Sequence, residues 1–262
     1  MGIFDGILIC SDWDGTLFCD GEVPERTREA ISYFMAEGGK FAITSGRDAD
    51  FLYKMRHFIN PNTYCICYGG SLVCDIESGE ELLRGSLGAG AFEALDKILD
   101  SEIEITRINV FCEGEIKHYT KEEYYEFGKA EALAAHSFKI TLNCKTDEDG
   151  ERLVAFCDSL GSEEFIFVRS FASYLEIIDK RYTKGTSARL IKEKTGARAL
   201  VGMGDYENDL ALFEGCDISF AVANATPSLK NIATHVTRAT VRECAAAEII
   251  ATLEEMLRAG EL

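Results

Sequence analysis

Short apolar runs alternate with amphipathic stretches over the first 70 residues, and again from residue 184 onward. The run Ile7-Leu8-Ile9-Cys10 predicts a buried strand. It runs into Asp12 and Asp14, separated by Trp13 and followed by Gly15-Thr16-Leu17. Pro24-Glu25-Arg26-Thr27 opens a helix, with Ala30, Ile31, Phe34 and Met35 as its apolar stripe and Gly38-Gly39 as its stop. Residues 40–44 predict a second buried strand ending at Ser45-Gly46-Arg47, and residues 48–57 a helix. Residues 64–67 predict a third strand, ending at Gly69-Gly70. Strands that alternate with helices predict a parallel sheet with helical crossovers.

The rhythm changes between about residues 72 and 176. Short strands are predicted at 71–74, 104–111, 115–119, 139–143 and 165–168, with helices at 91–100, 121–136 and 147–160. Local turns such as Glu113-Gly114 predict antiparallel pairing. The alternating pattern then resumes. A helix opens at Lys184-Gly185-Thr186, and a strand at 199–203 leads through Gly204-Asp205-Tyr206-Glu207-Asn208-Asp209 into a helix with Leu210, Leu212 and Phe213. A strand at 218–222, a helix from Pro227 and a C-terminal helix from Arg242 complete the pattern. The expected fold is α/β: a doubly wound parallel-sheet core over 1–80 and 180–262, with an α+β domain inserted at 81–179.

Composition adds limits. The chain has 262 residues, with 47% hydrophobic and 27% charged positions, the proportions of a globular protein. Its net charge of -18 argues against nucleic acid or an anionic membrane as a partner, because both require basic patches. A small anionic substrate is not excluded, since the local field of a site is independent of the total. The ten cysteines form no metal-binding CxxC pair, no long apolar run is present, and Met1-Gly2-Ile3-Phe4-Asp5 is not expected to open a signal peptide. Reduced thiols in a cytoplasm are therefore expected. Oligomeric state is not readable from the sequence.

The polar residues at the predicted strand ends are the candidate chemistry. In a doubly wound sheet ligands bind beyond the carboxyl ends of the strands. Asp12 and Asp14 are two apart, so on a strand both face one way. Two carboxylates about 4 Å apart repel by roughly 4 kcal/mol at an effective dielectric of about 20, so a cation or a proton must share the site. Asp205, Asn208 and Asp209 share one face of a helical first turn by spacing. Taken singly, each group has an ordinary explanation: an Asp-Gly turn, a helix cap at Ser45, a surface lysine at 184, acids at a helix start. Their joint placement at strand ends is what those explanations leave out.

Asp12-Trp13-Asp14-Gly15-Thr16-Leu17, Ser45-Gly46-Arg47, Lys184-Gly185 and Gly204-Asp205-Tyr206-Glu207-Asn208-Asp209 resemble the four motifs of the haloacid dehalogenase superfamily, in order. The insertion between the second and third resembles the Cof-type (subclass IIB) cap of its phosphatases. The resemblance implies a phosphatase acting on small phosphorylated metabolites, sugar phosphates first among them. It implies Asp12 as the nucleophile that forms an aspartyl-phosphate, and Asp14 as general acid and then base. It implies Mg²⁺ held by the Asp12 side chain, the Asp14 carbonyl and Asp205. Ser45, Gly46, Arg47, Lys184 and Asn208 would bind the phosphoryl group, with Ser45 and Lys184 also catalytic, and Asp209 would support the metal or the lysine from behind. The cap would close over the substrate and contribute selectivity; Arg107, Lys117, His118, Arg169 and Tyr174 are candidates there.

The chain departs from the family pattern at Trp13, usually a small or aliphatic residue, and at Gly69, usually Asn. It also departs at Ala223-Asn224-Ala225 and Cys244-Ala245-Ala246. Trp13 would pack under the loop or wall the site. A phosphotransferase or mutase would use the same Asp12 intermediate. The family's mutases carry a helical cap just after the first motif, and only a short stretch separates Asp14 from Pro24 here. A dehalogenase needs neither metal nor an aspartate at 14. A non-catalytic phosphometabolite-binding protein tolerates loss of Asp12 or Asp14, and both are intact.

Overall fold

The computed structural model describes residues 2–171 and 173–262. Its first strands are β1 (Ile7–Asp12), β2 (Lys40–Thr44), β3 (Cys65–Cys67), β4 (Leu72–Cys74) and β5 (Glu81–Arg84). Then come β6 (Ile105–Cys112), β7 (Glu115–Tyr119), β8 (Ser137–Cys144), β9 (Phe165–Phe171) and β10 (Tyr174–Asp179). The last are β11 (Ala199–Gly204), β12 (Ile218–Ala221) and β13 (His235–Val236). The helices are α1 (Glu25–Ala36), α2 (Ala49–Met55), α3 (Ala89–Leu99), α4 (Lys121–Glu123) and α5 (Lys129–Ala134). They continue as α6 (Asp147–Leu160), α7 (Lys184–Thr195), α8 (Leu210–Gly215), α9 (Pro227–Ile232) and α10 (Ala245–Ala259).

Two compact units result, 1–83 with 184–262 and 84–183. Among the described residues, eight strands form the core sheet in the order β13-β12-β11-β1-β2-β3-β4-β5. Pairing is parallel from β13 through β3, and β4 is antiparallel to β3. Every residue of β1 is buried, so both faces of this central strand are covered, the mark of a doubly wound sheet. The second unit holds an antiparallel sheet ordered β7-β6-β8-β10-β9. Its hydrophobic cluster joins Ile108, Val110, Ile140, Leu142, Leu175 and Ile177 of the sheet to Phe92, Leu95 and Leu153 of α3 and α6.

Several elements differ from expectation. Glu81–Arg84, expected in the insertion, is the edge strand of the core sheet. β10 and β13 were not expected. β10 interrupts its apolar pattern with Glu176, which is buried because Lys139 on β8 neutralises it. The single helix expected over 121–136 divides into α4, a π-helical turn at Tyr124–Gly128, and α5. A π turn inserts one extra residue. Here it lets Tyr124 go fully inside while Lys121, Tyr125 and Lys129 reach Leu99, Asp100 and Asp96 at the end of α3. The helix at 147–160 matches the expectation, with Thr146 accepting the Asp149 N–H as its cap and Gly161 (φ 51°) ending it.

Candidate active site

Asp12 is the last residue of β1 and is buried, beside Thr44 at the end of the parallel strand β2. On the other flank β11 delivers Asp205 just beyond Gly204. These are the carboxyl ends of adjacent parallel strands. Lys184, the first residue of α7, is 2% exposed and spans the gap. Its Nζ donates to Asp12 Oδ1 at 2.7 Å and to Asp209 Oδ1 at 2.6 Å. Burial alone would depress the lysine, but the Asp12 and Asp209 carboxylates outweigh it and hold the ammonium charged.

One oxygen from each of Asp12, Asp205 and Asp209 lies within 4.8 Å of the other two. Three acids thus share one lysine. Asp12 is pushed well above the usual carboxylate range, first by burial and then by Asp209, with Lys184 offsetting part. Asp205 is raised to about 7 by burial and by Asp209. Asp209 is committed: besides Lys184 it accepts the Asp205 N–H at 3.1 Å and the Tyr206 N–H at 3.4 Å. A Cβ at Gly204 would stand 2.5 Å from Asp209 Oδ2, so only glycine lets the strand end pass this close. Asp205 Oδ1 accepts from the Thr16 hydroxyl at 3.1 Å. Gly15, at φ +87°, turns the chain where a side chain would collide with Asp205.

The expectation that Asp12 and Asp14 face one point is corrected. β1 ends at Asp12, so the two-residue alternation stops there. Asp14 is exposed and takes two bonds of 3.1 Å from Arg47 Nε and Nη2. The Arg47 guanidinium sits 4.7 Å from the Phe51 ring centroid. The acids that do converge on Asp12 are Asp205 and Asp209.

Ser45 is buried. Its Oγ accepts the Arg47 N–H at 3.1 Å, which leaves the hydroxyl hydrogen free to donate outward. Gly46 is partly exposed between them. The Gly69 N–H donates to the Ser45 carbonyl at 3.0 Å and the Tyr68 N–H to the Arg47 carbonyl at 2.9 Å. The turn that replaces the family's Asn-Gly thus holds the Ser45 loop through its backbone N–H groups. Asn208 carries a buried Oδ1 without a hydrogen-bond partner. Trp13 packs beneath the loop: it is buried and stacks on Phe18 (5.4 Å, 18°).

Sequence reasoning assigned no role to Thr16, Asn224 or Ser187. Asn224 Nδ2 donates to the Gly15 carbonyl (2.9 Å) while its Oδ1 accepts the Val241 N–H (2.9 Å), tying the first loop to the start of the C-terminal segment. The Ser187 hydroxyl holds the Gly70 carbonyl at 2.7 Å. Of the candidates in the second unit, register places Arg107, His118 and Tyr174 on the sheet face away from its hydrophobic cluster. Lys117, opposite Val110, and Arg169, opposite Leu175, stand on the helix side.

A sequence profile of haloacid dehalogenase-like hydrolases matches residues 9–249. The chain belongs to that family. The Bacillus subtilis (strain 168) protein named "Putative phosphatase YxeH" is 26% identical over 252 residues, covering 88% of this chain and 92% of its own. The solved structure of a haloacid dehalogenase-like hydrolase from B. subtilis shares the fold with TM-score 0.78 at 17% identity, over 94% of this chain and 99% of that one. The HAD subclass IIB sugar phosphatase BT4131 shares it with TM-score 0.75 at 18% identity, over 94% and 98%.

Proposed function

We propose that this protein is a Mg²⁺-dependent phosphatase that hydrolyses small phosphorylated metabolites, sugar phosphates first, through an aspartyl-phosphate on Asp12. One observation carries the reading. Asp12 is a buried carboxylate with Oδ1 held by Lys184, and Oδ2 has no hydrogen bond among the described residues. One oxygen is oriented and the other is left for attack on phosphorus. The oxygen-rich donor set suits a hard divalent cation, and three acids against one lysine leave the negative charge such a cation balances. The Asp12 and Asp205 side chains and the Asp14 carbonyl would hold Mg²⁺, which would keep Asp12 ionised and offset phosphoryl charge.

Ser45 donates its free hydroxyl hydrogen to a phosphoryl oxygen, and the neighbouring Gly46 and Arg47 N–H groups line the same loop. Lys184 supplies a fixed positive charge beside the nucleophile. Asp14 protonates the leaving oxygen and then takes a proton from the attacking water; Arg47 holds it in place until the substrate arrives. Asn208 presents its unpartnered Oδ1, and Asp209 holds Lys184. The inserted unit, 84–183, contributes selectivity. The names of YxeH and BT4131 support phosphate esters as substrates, the second a sugar phosphate. The free cysteines support a reducing cytoplasm, and no helix of the described residues is long and apolar enough to cross a membrane.

The test is hydrolysis of phenyl phosphate with and without Mg²⁺, beside Asp12→Asn. Turnover that requires both supports the reading, and a screen of sugar phosphates then ranks substrates. Full activity in Asp12→Asn overturns the covalent route.

A further inference from the structure

Asp14 is exposed, and so is the Arg47 guanidinium that bonds it. An ion pair in water holds its partners loosely and opens readily. That suits a group that must give up Arg47 when substrate arrives, but it does not fix where Asp14 points. The loop that carries Asp14 is held from beneath instead. Trp13 is fully buried and stacks on Phe18, with ring centroids 5.4 Å apart and planes at 18°. Phe18 in turn packs edge-on with Phe58 at 5.9 Å. Phe58 follows the end of α2 and Arg47 precedes its start, so the loop 13–18 is docked on both ends of one helix. The Trp13 indole N–H has no hydrogen-bond partner among the described residues, so packing alone seats the ring.

The backbone turns that seat into a direction. The Trp13 carbonyl accepts the Leu17 N–H at 3.1 Å and the Phe18 N–H at 2.9 Å, and the Gly15 N–H donates to the Phe18 carbonyl at 2.9 Å. Peptide units are planar. The unit before Asp14 is therefore fixed through Trp13, and the unit after it through Phe18. Asp14 leaves the chain between two fixed planes, and the two residues that fix them are the two whose rings stack. A small or aliphatic residue at 13 would keep the backbone bonds but lose the ring that clamps them.

We propose that Trp13 is a positioning residue for Asp14: its stack on Phe18 aims the Asp14 carboxyl at the leaving oxygen, while Lys184 orients Asp12 independently. This rests on the phosphatase reading above, in which Asp14 is the proton donor.

The test exploits the need for that proton. Phenolate is a poor leaving group and gains from a proton donor, whereas 4-nitrophenolate leaves well without one. With Mg²⁺ saturating, the ratio of kcat/KM for 4-nitrophenyl phosphate to that for phenyl phosphate cancels any loss common to both. Trp13→Leu is expected to raise this ratio about tenfold, a fraction of what a well-placed acid supplies, and Phe18→Leu to raise it in the same sense. Trp13→Phe keeps a ring on Phe18 and should stay near the wild-type ratio. In Asp14→Asn the ratio is already high, and adding Trp13→Leu leaves it unchanged, because both act through one group. A wild-type ratio in folded Trp13→Leu, or in folded Phe18→Leu where the first does not fold, overturns the proposal. So does a rise in Trp13→Phe as large as in Trp13→Leu, or a further rise in the double variant. If the wild type hydrolyses neither aryl phosphate, the phosphatase reading has failed, and the clamp is then judged by hydrogen exchange. Faster exchange confined to the Gly15, Leu17 and Phe18 amides in the folded variant supports it; equal exchange, or a rise throughout β1, overturns it.

Discussion

Lys184 in the core unit and Lys139 in the inserted unit are each 2% exposed, and each donates to a carboxylate at under 3 Å. One is surrounded by three acids, the other by one. A balanced pair such as Lys139 and Glu176 is self-contained, and apolar residues of the same size would serve stability as well. The cluster of Asp12, Asp205 and Asp209 is short of positive charge, and that deficit separates the candidate centre from a buried ion pair.

The largest effect that would break this comparison comes from Lys184→Met. Phenyl phosphate turnover is expected to fall by about 10²–10³-fold, the cost of losing a charge aimed at the reacting group. A loss below tenfold would place Lys184 with Lys139 as a structural cation. Next is Lys139→Met, expected to cost about 3 kcal/mol in urea unfolding by leaving Glu176 buried and unpaired. The double variant Lys139→Met with Glu176→Leu should return to within about 1 kcal/mol of wild type. No recovery would show that the pair is not self-contained.

A smaller effect sharpens the contrast by pH. Asp205 is raised from 3.8 to about 7, so the folded protein holds this proton more tightly than the unfolded chain. The metal-free protein is therefore favoured by this group below its unfolded value and loses that contribution as pH rises toward 7. Under the proposed function Mg²⁺ would compete with the same proton. The gain in Tm from millimolar Mg²⁺ is expected to be several degrees larger at pH 8 than at pH 5. An equal gain at both would remove Asp205 from the metal site. The smallest effect is that of Asn224→Ala, about 1 kcal/mol in unfolding with a several-fold loss of kcat, because Gly15 loses its tether.

Much of the candidate site was legible because polar residues sit where apolar patterns stop. Asp12, Ser45 and Asp205 each follow a run of strand residues, and a polar group there is out of place unless it is used. What was not legible depends on distant partners. Thr16 meets Asp205 across 189 residues, and Asn224 meets Gly15 across 209. Nothing local distinguishes either from a turn residue. The same holds for β10, whose Glu176 reads as a break until Lys139, 37 residues away, explains it. Asp14 shows the opposite error. Extending the strand period past Asp12 put it among the converging acids, but the chain had already turned.

Trp13 is the only tryptophan of the chain and lies between the two aspartates of the first motif. Buried and stacked on Phe18, it is a single fluorophore in a dry setting next to Asp12. Its emission reports on one loop, with no second indole to dilute the signal. The protein thus carries its own optical gauge, through which titration of Mg²⁺ or phosphate can be followed in a cuvette without label or turnover.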